Sequence, residues 1–215
     1  GVTNSNITPL LIKGLNKLEY RGYDSSGLIV LSNQNTFDRA RSVGKVKNLE
    51  KNLNDRSKKI IGKIGIAHTR WATHGEPSSL NAHPHISKNS VSVVHNGIIE
   101  NYIELKNNQI NQGYEFTSDT DTEVIAHAVD SQMNSSKTLI ESVQKAIKSF
   151  EGSYGLGIIS SNYPDQVIAT RKGSPLVIGI GENGNYIASD QLALLSVTNK
   201  FIFLEEEDIA EIKLD

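Results

Sequence analysis

Ile66-Ala67-His68-Thr69-Arg70-Trp71-Ala72-Thr73-His74-Gly75-Glu76-Pro77 is the stretch from which the rest of the chain can be read. The apolar run that leads into it, residues 61–67, predicts a buried strand. Past Ala67 the chain turns polar and ring-rich, and Gly75, Pro77 and Pro84 then favour turns over regular structure. A guanidinium, an indole, two hydroxyls and several imidazoles are thus expected on a loop at the mouth of a rigid strand, which is how many binding sites are built. A polar surface loop with no chemical task has the same composition, so the surrounding chain has to separate the two.

Working outward, residues 91–94 predict the next strand, which delivers His95-Asn96-Gly97 at its end. Thr120-Asp121-Thr122-Glu123 opens a helix that carries Val124, Ile125 and Ala128 inward. Upstream, Thr8-Pro9 marks a helix start, with the hydroxyl as cap and proline in the first turn. That helix should end near Tyr20-Arg21-Gly22, followed by a turn at 23–27, a strand at 28–31 and a return strand at 36–40. A short helix is expected at 45–53, and another at 101–112 closed by Gly113. Ser135 or Ser136 should cap a helix whose Leu139, Val143, Ile147 and Phe150 form one stripe. After Gly152, short strands are expected at 156–159, 167–170, 176–180, 186–188, 201–204 and 209–212. About ten strands are better divided between two packed sheets than spread in one, and helices must then cover the outer faces. The reading is an α+β layered sandwich formed by a single domain over residues 1–215.

Composition narrows the function. Formal net charge is −2 with both signs interleaved, which leaves no basic stripe for nucleic acid or anionic lipid. No apolar run approaches the roughly 20 residues that span a bilayer, and without a secretory signal a cytoplasmic protein is expected. There is no cysteine, hence no disulfide and no thiol nucleophile within these residues. Five of the six histidines lie between His68 and His95, but without an H-E-x-x-H motif no metal is expected. The glycines at 152–157 and 181–184 do not open helices, so a nucleotide is not expected either.

Three polar clusters remain at predicted element ends: Arg70 to His74, His95 to Gly97, and Thr120 to Glu123. Arg70 is a planar fork suited to a carboxylate. Asp121 is an anion suited to an ammonium, so the two together suit a free α-amino acid. Asn96 and Gly97 could supply the amide and backbone N–H donors of an oxyanion hole. Each has a plainer reading: Arg70 and Asp121 as a structural ion pair, Asn96-Gly97 as a hairpin turn.

The runs Tyr20-Arg21-Gly22-Tyr23-Asp24-Ser25, His68 to Gly75, Ala82-His83-Pro84-His85, His95 to Asn101 and Thr120 to Glu123 occur in this order. Together they resemble the glutaminase domain of the glutamine–fructose-6-phosphate aminotransferases, a family of class II glutamine amidotransferases. The likeness continues through Gly173-Ser174-Pro175-Leu176, Ala188-Ser189-Asp190-Gln191 and residues 201–212, nearly the whole chain. It implies an N-terminal-nucleophile hydrolase fold, a four-layer αββα sandwich of two mainly antiparallel sheets. It implies hydrolysis of the side-chain amide of L-glutamine by a cysteine upstream of Gly1, in a Cys-Gly-Ile-Val-Gly strand of which Gly1-Val2 is the end. By the same resemblance, Arg70, Trp71, Thr73, His74 and Asp121 bind glutamine. Asn96 and Gly97 hold the oxyanion, Arg21 supports the nucleophile from behind, and no cofactor or metal takes part. The ammonia is passed to a C-terminal sugar-isomerase domain that makes glucosamine 6-phosphate from fructose 6-phosphate, in a homodimer at full length. Two other readings stay open: a non-catalytic glutamine-binding module, and the glutaminase domain of another class II amidotransferase.

Overall fold

A computed structural model describes residues 1–71 and 75–214. β1 (Val2–Thr3) leads into α1 (Thr8–Leu18), which tightens into a 3₁₀ turn at Glu19–Arg21. β2 (Ser25–Leu31) and β3 (Phe37–Val43) form a hairpin, followed by α2 (Val46–Asn54) and β4 (Ile64–Arg70). β5 (His85–Ser87) and β6 (Val91–Ile99) precede three helices, α3 (Tyr102–Asn111), α4 (Glu123–Met133) and α5 (Leu139–Ala146). Six strands complete the chain: β7 (Gly152–Ser160), β8 (Tyr163–Lys172), β9 (Val177–Gly181), β10 (Gly184–Ala188), β11 (Phe201–Phe203) and β12 (Ile209–Ile212).

The strands form a seven-stranded sheet, β11-β9-β10-β1-β4-β2-β3, and a five-stranded sheet, β12-β8-β7-β6-β5. Alternation along β2 shows how the layers arise. Leu28 and Val30 pack with Ile7 and Leu15 of the α1 region and with Val46 and Leu49 of α2. Ile29 and Leu31, on the opposite face, pack with Ile159, Val167 and Ala169 of the second sheet. On that sheet's far side Leu156, Ile158 and Ile168 meet Val124 and Ile125 of α4 and Leu139 and Val143 of α5. The central strands thus bury both faces, and the order is helix, sheet, sheet, helix. A fully buried Leu or Ile of this kind contributes about 1.5–3 kcal/mol relative to exposure.

Several expected boundaries move, each because a backbone ladder outlasts the apolar pattern. β4 begins at Ile64 and continues through His68, Thr69 and Arg70, so the polar stretch is strand rather than loop up to Arg70. β2 begins at Ser25 because Ser25 and Ser26 pair with Arg70 and Thr69. β6 contains Asn96 and Gly97, paired with Gly155 and Tyr154, instead of ending before them. β5, too short to show a pattern, was not expected, and the described residues hold twelve strands rather than about ten. The Thr8 hydroxyl donates to the Ile60 carbonyl at 3.0 Å and does not cap α1. Thr138, not Ser135 or Ser136, caps α5: its Oγ1 accepts from the Glu141 N–H at 3.2 Å.

Candidate functional site

The end of β4, the middle of β6 and the segment entering α4 converge on a cavity of about 300 Å³. His68, Arg70, Trp71, Asn96, Gly97 and Asp121 line it, so the three polar clusters meet in space. Thr73 and His74 lie outside the described residues.

Arg70 is buried at the last position of β4. Its Nη1 lies 3.3 Å from Asp24 Oδ1, and its Nη2 donates to the Gly75 carbonyl at 2.8 Å. The ion pair expected with Asp121 as the plainer reading is instead made with Asp24, on the turn that leads into β2. Asp121 is also buried, and its Oδ2 accepts from the Ile99 N–H at 2.8 Å. That bond ties the segment before α4 to β6 and leaves the carboxylate at the cavity wall. A guanidinium and a carboxylate, each held by its own backbone contact, thus face one space.

Asn96 Oδ1 lies 2.8 Å from His68 Nε2 across the gap between the sheets. Gly97 has φ 131°, and a Cβ there would come within 2.1 Å of the Ser153 carbonyl. A side chain is therefore excluded by both conformation and space. The Asn-Gly pair is not a hairpin turn; it lies inside a nine-residue strand. Trp71 stands 67% exposed at the rim, and its ring covers Gly22 so closely that a Cβ on Gly22 would lie 2.1 Å from two ring carbons. This explains the glycine in Tyr20-Arg21-Gly22. Arg21 also lines the cavity and donates to the Ser189 hydroxyl.

Sequence reasoning missed the residues behind this surface. His83 stacks on His68 with ring centroids 4.3 Å apart, and His85 meets His83 edge-on at 5.0 Å. Thr122 Oγ1 lies 3.2 Å from His83 Nε2 and 3.1 Å from His95 Nδ1, and Thr120 Oγ1 lies 3.1 Å from His85 Nε2. Burial holds the His68 imidazole down to about 4 and drives His83 and His85 well below the usual histidine range. The signal in the sequence was the crowding of histidines between 68 and 95. Among the described residues no cluster of His, Asp or Glu could hold a metal ion. Glu123 and His127 stand one helical turn apart, 4.0 Å between Oε1 and Nε2. The Glu123 carboxylate, however, is engaged by the Thr117 and Ser118 N–H groups and hydroxyls.

A second cleft joins the first. Gly1 and Gly65 exchange backbone hydrogen bonds of 2.7 and 3.2 Å, and Val2 pairs with Ile64 on one side and Asn185 on the other. Because β1 is antiparallel to both β4 and β10, those two strands run alongside each other beyond Gly1, to Arg70 and Ala188. Between them runs a groove walled by Ile66, Ala67, Tyr186 and Ile187, roofed by Leu11 and Leu15 of α1, and reaching His68 and Asn96.

Known proteins resemble this chain in sequence and in fold. Residues 68–196 match the family described as glutamine amidotransferase domain. The chain is 54% identical over 211 residues to a glutamine–fructose-6-phosphate aminotransferase (isomerizing) of Haemophilus influenzae, covering 98% of this chain and 34% of that protein. It is 55% identical over its whole length to the protein of the same name in Acinetobacter baylyi, again 34% of that protein. It therefore spans about a third of the length of the curated relatives it matches. Among solved structures, the glutamine phosphoribosylpyrophosphate amidotransferase of B. subtilis superposes with a TM-score of 0.79 at 22% identity, over all of this chain and 48% of that one. The likeness is one of fold, and it bears out the sandwich of two mainly antiparallel sheets between helices. No helix of the described residues is long and apolar enough to cross a membrane.

Proposed function

We propose, since the chain belongs to the glutamine amidotransferase domain family, that it removes the side-chain amide nitrogen of L-glutamine, releasing glutamate and ammonia. The observation that carries this reading is the single cavity in which the buried Arg70 guanidinium, the buried Asp121 carboxylate and the Asn96 amide face one another. Arg70 takes the α-carboxylate and Asp121 the α-ammonium, leaving the side-chain amide of the substrate to extend toward Asn96 and Gly97. Trp71 covers the bound amino acid from the rim, and Thr73 and His74 are assigned to glutamine binding by the family resemblance alone. Arg21 holds the Ser189 side of the wall.

The nucleophile is a cysteine that a Cys-Gly-Ile-Val lead-in to Gly1 supplies. Continuing the β1 register, each residue before Gly1 advances one position along both β4 and β10. The lead-in fills the groove between them as a strand, and its cysteine falls beside Thr69 and the Ser189-Asp190 pair, at the wall of the substrate cavity. The thiol sulfur attacks the carboxamide carbon while the free α-amine takes the thiol proton. The tetrahedral oxyanion is held by the Asn96 side-chain N–H and the Gly97 N–H. The C–N bond breaks as the amine returns the proton to the leaving nitrogen. Water then cleaves the γ-glutamyl thioester, giving glutamate and free thiol.

In the longer protein, the ammonia would pass to a C-terminal sugar-isomerase domain and be used to make glucosamine 6-phosphate from fructose 6-phosphate. Delivery within one cytoplasmic homodimer avoids its protonation in bulk water. Residues 1–215 form the glutaminase domain of that arrangement.

Substrate recognition is tested by calorimetric titration with L-glutamine. Arg70→Lys and Asp121→Asn should each weaken binding by about 1–3 kcal/mol, since lysine cannot reproduce a two-pronged bond and asparagine carries no charge. Unchanged affinity in both variants would remove the assignment.

A further inference from the structure

We infer that His68 is the positioning residue that decides which end of the Asn96 side chain faces the substrate. The inference deepens the glutaminase reading and rests on it. A carboxamide has two ends of similar shape and opposite hydrogen-bonding sense: only its NH₂ stabilises an oxyanion, and its oxygen would repel one. Whichever group lies behind Asn96 therefore sets whether the oxyanion hole exists.

The group behind it is His68 Nε2, 2.8 Å from Asn96 Oδ1. Nδ1 of the same ring is buried and meets no polar atom among the described residues. A proton on Nδ1 would be an orphaned buried donor, which folded proteins rarely tolerate. The proton belongs on Nε2, where it donates to Asn96 Oδ1 and leaves the Asn96 NH₂ for the cavity.

The neighbouring imidazoles hold this ring in place and share its tautomer. The His95 N–H donates to His83 Nδ1 at 3.4 Å, so His83 carries its proton on Nε2 and donates to Thr122 Oγ1. The Thr122 hydroxyl in turn donates to His95 Nδ1. His83, fixed at both nitrogens, presents its face to His68 at an interplanar angle of 19°. Burial keeps the His68 and His83 rings neutral at neutral pH, so their arrangement does not change through the physiological range.

Two measurements test this. The first needs no turnover: nitrogen-15 NMR of the chain should show His68 as the neutral Nε2–H tautomer. An Nδ1–H tautomer would overturn the inference, whether or not the protein proves to be a glutaminase. The second uses the chain carrying the cysteine lead-in. His68→Phe should lower kcat about 10–100-fold with KM within about twofold, part of the 10²–10³ that loss of an oxyanion donor costs. His68→Gln, whose amide can donate from nearly the same point, should recover much of that loss. His68→Phe combined with Asn96→Ala should be no slower than Asn96→Ala alone, because orientation is worthless once the amide is gone. Full kcat in His68→Phe, or losses that multiply in the double variant, would overturn it. If the parent chain with its lead-in turns over no glutamine, the glutaminase reading fails while the tautomer measurement still decides the role of His68.

Discussion

At the scale of single residues, the site is built from polar groups taken out of water, and each is paired before substrate arrives. Arg70 has Asp24 and the Gly75 carbonyl, Asp121 has the Ile99 N–H, and Asn96 has His68. Such pairing is what makes burial tolerable. The histidines follow a different course and stay neutral. His68, His83 and His85 all have folded pKa values held below the unfolded value of about 6.5, by burial first. Between the folded and unfolded values the unfolded chain binds more protons, so stability is present above about pH 6.5 and is lost as pH falls toward 4. Each such imidazole contributes a slope of up to about 1.4 kcal/mol per pH unit in that window. Urea unfolding should therefore show the midpoint dropping between pH 6.5 and 5, above the range in which ordinary carboxylates titrate. A midpoint flat across that interval would mean that the rings are charged or solvated in the native state.

At the scale of elements, what was legible in the sequence depended on what fixed each boundary. The helices with apolar stripes and glycine ends were placed within a few residues: Gly113, at φ 85°, follows α3 as expected. Among strands, β12 lies at 209–212 as expected and β9 and β11 within a residue of it, but backbone pairing to a neighbour carries β4 through Arg70 and β6 across His95, Asn96 and Gly97 with no apolar side chain required there. Asn96 and Gly97 were legible as residue types, yet their setting inside a strand was not, since that depends on Ser153 across the ladder. Arg70 and Asp121 were legible too, while the ion partner of Arg70 was not, because Asp24 is 46 residues away in sequence. The cap of α5 offers a direct comparison of the two readings. Thr138→Ala should lower stability by about 0.5–2 kcal/mol, since Oγ1 satisfies the Glu141 N–H. Ser135→Ala, at one of the two positions the sequence offered, should change it by less than about 0.5 kcal/mol. Thermal melts of the two variants check this, and the reverse order would restore the earlier cap.

At the scale of the whole molecule, two sheets clasped between helices leave a strand-wide groove between β4 and β10, leading from Gly1 to the cavity lined by Arg70 and Asp121. Under the proposed function, recognition and chemistry reside on different parts of the chain: the groups assigned to glutamine lie on β4, β6 and the entry to α4, and the attacking sulfur is assigned to the lead-in to β1. The two should be separable. Glutamate release from L-glutamine is measured side by side for residues 1–215 and for the same chain preceded by Cys-Gly-Ile-Val with a free α-amine. The account predicts that both bind glutamine, that only the extended chain hydrolyses it, and that acetylating its amine slows it by removing the base. Release by residues 1–215 at a rate matching the extended chain would contradict the account, and so would an extended chain that binds glutamine and releases nothing.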